Sequence, residues 1–136
     1  MSDAVTLHDL LVEAIANRRF RYPNSRHPEW DAFTNTTAER TKGVDTGDGI
    51  VYPDIVVVNS QNRVALLGEV ETFTSITRNE ALQWTEYAGL CSGGFYLYVP
   101  DGYEDTTIQY IRENNTRIAG LRTYDLQDSE LVITNM

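Results

Sequence analysis

The chain has 136 residues, 41% of them hydrophobic, with a net charge of −9 and a pI of about 4.5. That length supports one domain with a useful core. No apolar run approaches the roughly 18 residues of a membrane span, and Met1-Ser2-Asp3-Ala4 lacks the basic-then-apolar pattern of a signal peptide. The single cysteine, Cys91, excludes an internal disulfide and a cysteine-based zinc site, so a cytoplasmic protein is the expectation.

Leu7, Leu10, Leu11, Ala14 and Ile15 recur at intervals of three and four behind Thr6, which predicts a capped helix over 6–17. Residues 18–48 read as irregular, broken by Pro23, Pro28, Gly43, Gly47 and Gly49. A connection of that length is either functional or conceals a strand. Strands are expected over 50–58 and 64–71, joined by the turn formers Asn59-Ser60-Gln61-Asn62 as a hairpin. Thr77 and Glu80 read as a capping box that opens a helix over 78–91, with Ala81, Trp84, Ala88 and Cys91 on its apolar side. A strand over 95–99 ends at Pro100; a helix over 103–114 and short strands near 117–123 and 130–134 follow. The predicted class is α/β, a mixed sheet covered by helices.

Three carboxylates fall where burial is expected. Asp54 precedes the apolar run Ile55 to Val58, and Glu69 and Glu71 end the next one. Strand side chains alternate, so Glu69 and Glu71 share a face while Val70 takes the other. A hairpin returns both to Asp54. Three acids on one patch of sheet are costly unless compensated, and their oxygen donors suit a hard divalent cation.

Pro53-Asp54, a gap of fourteen residues, Glu69-Val70-Glu71, and then a helix bearing Gln83 together resemble the restriction-endonuclease-like, or PD-(D/E)XK, nuclease superfamily. The order of elements over 6–99 is similar to that fold's core of helix, three strands, helix and strand. The phrase Glu69-Val70-Glu71-Thr72, followed by Gln83-Trp84 and Tyr87, also looks like a group of small uncharacterised members. The resemblance implies a Mg²⁺- or Mn²⁺-dependent DNA endonuclease. Asp54, Glu69 and Glu71 would be metal ligands and catalytic groups, the Val70 carbonyl a further ligand, and Gln83 a polar catalytic-site residue. Glu13 would be an extra acid from the first helix. Glu71 stands where most members have lysine. Members of this size often pair to cut two strands, so a homodimer is also implied.

Six of the eleven basic residues lie between positions 18 and 42, and Arg18, Arg19 and Arg21, interleaved with Phe20 and Tyr22, are candidates for nucleic-acid contact. The acidic surface, with one lysine against ten arginines, resembles that of proteins from a high-salt cytoplasm. His8 and His27 read as isolated surface residues, and Gly47-Asp48-Gly49 as a turn. The competing reading is a nuclease-like domain without catalysis that serves as a nucleic-acid or protein binding module; a third is an unrelated α/β domain whose acids merely bind a cation.

Overall fold

A computed structural model describes residues 6–136, so the amino-terminal stretch read above for a signal peptide lies outside the described residues. Helix α1 (Leu7–Arg19) opens the chain, with the Thr6 hydroxyl accepting the Asp9 N–H at 3.1 Å as its cap. Five strands and a helix follow: β1 (Asp31–Thr34), β2 (Val44–Asp45), β3 (Ile50–Val51), β4 (Ile55–Val58), β5 (Val64–Val70) and α2 (Arg78–Ala88). The chain closes with β6 (Gly94–Pro100), α3 (Glu104–Glu113), β7 (Gly120–Gln127) and β8 (Glu130–Asn135). The architecture is mixed α/β, as expected. Among the described residues no helix is long and apolar enough to cross a membrane.

Six strands form one sheet in the order β1-β4-β5-β6-β7-β8. The pairs β1/β4, β4/β5 and β7/β8 are antiparallel, while β5/β6 and β6/β7 are parallel. The parallel pairs follow from helical crossovers: α2 links β5 to β6 and α3 links β6 to β7. The β4/β5 connection is the tight turn foreseen. Asn59 Oδ1 accepts the Gln61 and Arg63 N–H groups at 2.9 and 3.0 Å, and Asn62 adopts φ 60°.

Each face of the sheet packs its own core. On one side Leu11, Val12 and Ile15 of α1, with Phe20 at its carboxyl cap, meet Ile55, Val57, Leu66, Val70 and Tyr98. On the other, Ala81, Trp84 and Tyr87 of α2 meet Val56, Val58, Leu67, Phe95 and Leu97. The parity along β5 puts Leu67 and Glu69 on the α2 side and Leu66 and Val70 on the α1 side.

Three differences from the sequence reading have physical causes. The stretch over 18–48 conceals two strands: β1, which carries only two apolar residues and pairs with β4 at the sheet edge, and the two-residue β2. The strand expected over 50–58 divides at Tyr52-Pro53-Asp54. Proline has no N–H for a ladder, and the Asp54 N–H is taken by a carboxylate rather than by a neighbouring strand. Its first part, β3, pairs instead with β2 through the turn at Gly47-Asp48-Gly49. Cys91 lies beyond the end of α2 rather than on it, half-buried against the core on that side of the sheet.

Candidate metal centre

The break before β4 and the end of β5 meet on the α2 side of the sheet. Ile55 pairs with Gly68, which places Asp54 opposite Glu69. Two bonds tie Asp54 to the end of β5. The Asp54 N–H donates to Glu69 Oε1 at 2.8 Å, and the Val70 N–H donates to Asp54 Oδ2 at 2.8 Å. Both carboxylates are buried.

Glu71 is more deeply enclosed, at 2% exposure, and its head group is fixed on both oxygens. The Ser75 hydroxyl donates to Oε1 at 2.6 Å, and the Trp84 indole N–H donates to Oε2 at 2.8 Å. Its backbone is held as firmly: its N–H donates to the Tyr98 carbonyl and its carbonyl accepts the Tyr124 hydroxyl, each at 2.8 Å. The sequence places Glu69 and Glu71 on one face; both indeed lie toward α2.

Glu80 completes the set whose oxygens converge, while Asp54 adjoins it through its N–H bond to Glu69 and is not one of the converging three. Glu69, Glu71 and Glu80 each offer an oxygen within 4.8 Å of the others. Glu80 was expected to close a capping box. Only half of it forms: the Thr77 hydroxyl accepts the Glu80 N–H at 3.2 Å, while the Glu80 carboxylate turns toward the acid cluster. The signal was present in the spacing, because Glu80 precedes Gln83 by three residues and Trp84 by four, which sets all three on one helix face. Gln83 is half-buried and lines the same pocket, of about 460 Å³, as Asp54, Glu69, Val70, Glu71 and Glu80.

Electrostatics follow from this crowding. Burial first, and then the neighbouring charges of Asp54 and Glu71, push the Glu69 carboxyl well above the usual range. Burial, with the charge of Glu80, raises Glu71 to about 7 against the lowering effect of its Ser75 and Trp84 bonds. Burial and the Asp54 charge raise Glu80 as well. The pocket wall contains no lysine or arginine among the described residues.

The cation that is present was missed in the sequence. His8 Nε2 lies 3.1 Å from Asp54 Oδ2, and its Nδ1 lies 3.5 Å from Asp9 Oδ1. The bond to Asp54 lifts the imidazole to about 9 although burial opposes it. No short motif marks His8; only the docking of α1 across the sheet brings its first turn here. Asp9 is buried, takes the Thr37 N–H at 2.9 Å, and leaves Oδ2 without a partner among the described residues.

Other candidates lie elsewhere. Glu13 is exposed, accepts the Thr34 hydroxyl and lines a separate groove beside β1, so it is not brought to the acid cluster. Arg18 and Arg19 sit about 15 Å along α1 from His8, where Arg18 donates to the Leu131 carbonyl and Arg19 to Asn135 Oδ1. Arg21 borders the same groove as Glu13. His27 stacks on Trp30 with ring centroids 3.6 Å apart.

No protein-family model, curated protein or solved structure matches this chain, so the reading of the pocket rests on its own geometry.

Proposed function

We propose that the protein is a metal-dependent nuclease that hydrolyses DNA phosphodiester bonds at this acidic pocket, on a restriction-endonuclease-like core. The observation that supports the reading most is the convergence of Glu69, Glu71 and Glu80 oxygens within 4.8 Å, with Asp54 bonded to Glu69, in a buried place. Buried carboxylates at such spacing repel one another and lose hydration. His8 offsets one of the four charges, and a divalent cation would offset two more. The donor set is oxygen only, which favours Mg²⁺ or Mn²⁺ over softer metals.

Asp54, Glu69 and Glu71 would hold the ion, with Glu80 as an added donor and the Val70 carbonyl at the same wall. When bound, the cation supplies Lewis acidity toward a phosphoryl oxygen and lowers the pKa of water at the site. The side chains supply the rest. Glu71, raised to about 7 when free of metal, would be drawn back toward the ordinary carboxylate range by the ion and so stay ionised as a ligand near neutral pH. Trp84 and Ser75 hold its carboxylate in one orientation, which preserves that geometry through turnover. The Gln83 amide faces the same pocket and can hold a phosphate oxygen or the water. His8 has both ring nitrogens directed at carboxylates, so its role is charge compensation at Asp54. A homodimer would let two such pockets cut both strands.

A pocket wall without lysine or arginine among the described residues, and glutamate at 71, favour a second reading: a nuclease-like module that binds without cutting. The two readings part in cleavage assays on plasmid, branched and single-stranded DNA with Mg²⁺ or Mn²⁺ over a range of salt. Under the nuclease reading the wild type cuts at least one substrate, and Asp54→Ala slows cutting by about a hundredfold or more. Identical behaviour of the two proteins on every substrate removes the enzyme.

A further inference from the structure

Beyond the carboxyl end of α1, the sheet face that the helix covers elsewhere is open. It forms a pocket of about 200 Å³, bounded by Arg19 and Phe20 from the helix end and by Tyr22, Tyr96, Tyr98 and Arg122. It lies about 10 Å back along β5 from Glu69, measured from Leu66 at its floor, and on the opposite face of the sheet. It is therefore separate from the acidic pocket.

Its composition is unusual for a chain of net charge −9. Two guanidinium groups converge on it and no carboxylate lines it. Neither Arg19 nor Arg122 has an acidic partner among the described residues. Arg122 lies over the Tyr96 ring, 5.5 Å from its centroid, and rests on Gly120, where an added Cβ would meet the guanidinium at 2.5 to 2.7 Å. Arg19 is steadied by Asn135 Oδ1 at 2.8 Å. Tyr98 is 2% exposed and lines the pocket, yet its hydroxyl has no protein hydrogen-bond partner among the described residues. Burial raises that phenol to about 12, and the charges of Arg19 and Arg122 pull against the rise.

Flat aromatic walls take a planar ring. Paired guanidiniums take a phosphate through bidentate donation. A phenol hydroxyl that is unpartnered and open to the pocket takes one edge of the ring or one phosphate oxygen. We propose that this pocket binds a nucleoside monophosphate, with the base against Tyr22 and the phosphate on Arg19 and Arg122, presented either by a strand end or by a free nucleotide. A bare phosphate would leave the aromatic walls uncovered, and an uncharged base would leave both guanidiniums uncompensated.

The test is calorimetric titration in EDTA, which keeps binding here apart from any cation chemistry at Asp54. Thymidine 5′-monophosphate is the probe, beside thymidine, inorganic phosphate, phosphotyrosine and a 5′-phosphorylated oligothymidylate. The monophosphate should bind saturably, and thymidine and phosphate each at least about tenfold more weakly. Arg19→Gln and Arg122→Gln should each weaken it by about tenfold or more, as should Gly120→Ala, which displaces the Arg122 guanidinium without removing it. Asp54→Ala should leave it unchanged. Tighter binding of the oligothymidylate than of the monophosphate assigns a strand end; equal or weaker binding assigns a free nucleotide. Arg19 is exposed, so its variant will fold, and an unchanged melting curve verifies that. The proposal is overturned if the monophosphate does not saturate, if the arginine variants bind as the wild type does, or if phosphotyrosine binds as tightly.

Discussion

The indole N–H of Trp84 donates to Glu71 Oε2 at 2.8 Å, inside the core between α2 and the sheet. One side chain thus packs the helix against β5 and aims a carboxylate of the acidic pocket. Trp84→Phe keeps most of the packing and removes the donor. It should lower unfolding free energy by about 1.5–3 kcal/mol, the range for a hydrogen bond to a charged group. A urea midpoint indistinguishable from wild type would mean that the carboxylate finds another donor.

The same contact makes Trp84 a reporter. With Trp30 replaced by Phe, the remaining indole emission should titrate with a midpoint of about 7 in EDTA, following Glu71. Saturating Mn²⁺ or Mg²⁺ should move that midpoint down, because a cation favours the ionised carboxylate. Glu71→Gln should abolish the transition. Persistence of the transition in that variant would assign it to another group.

Stability should fall as pH rises in the absence of a divalent cation. Glu71 is raised from 4.5 to about 7, so between those values the folded state holds more protons than the unfolded one. Unfolding free energy then decreases with pH, by on the order of 3 kcal/mol for this group across that window. Glu69 acts in the same direction. His8, raised from 6.5 to about 9, stabilises fully below its ordinary value, and that contribution is lost as pH passes about 9. Glu71→Gln should flatten the slope between pH values of about 5 and 8. Thermal melts of the two proteins in EDTA check this; equal slopes count against a Glu71 carboxyl raised by burial.

Cation affinity should rank the acids by burial. Terbium binding, read by luminescence sensitised through Trp84, should weaken by about tenfold or more in Glu69→Gln and Glu71→Gln, and by less in the half-buried Glu80→Gln. Glu13→Gln, which alters a residue outside the pocket, should bind as the wild type does. A Glu13 effect matching that of Glu69 would redraw the site.

Gly68 adjoins Glu69 on β5 and has no room for a side chain. A Cβ there would meet Phe20 Cζ at 3.0 Å and Ile55 Cβ at 3.3 Å. Gly68→Ala should cost about 1–3 kcal/mol through overpacking between α1 and the sheet, measurable as a shift in the urea midpoint. A neutral result would show that Phe20 moves aside.

What could be read from the chain depended on how locally each feature was encoded. β5, α2 and β6 follow from uninterrupted apolar patterns, and the pairing of Asp54 with Glu69 follows from a short turn plus strand parity. β1 was hidden because an edge strand with only Ala32 and Phe33 as apolar residues has almost no periodic signal. Glu80 reads equally well as a local cap in sequence, although the sheet lies beneath it. His8 and the Arg122–Tyr96 pocket depend on where α1 settles across strands far away in sequence, which no spacing within either segment encodes.

The Tyr124 hydroxyl grips the main chain at Glu71 from two strands away, across β6. The end of the acid-bearing strand is therefore anchored by residues contributed 53 positions later. Fraying of the last hairpin would travel inward as a loosened grip, and the carboxylates would register it before the helices did. Damage at the rim of the sheet is, for this fold, damage at its charged centre.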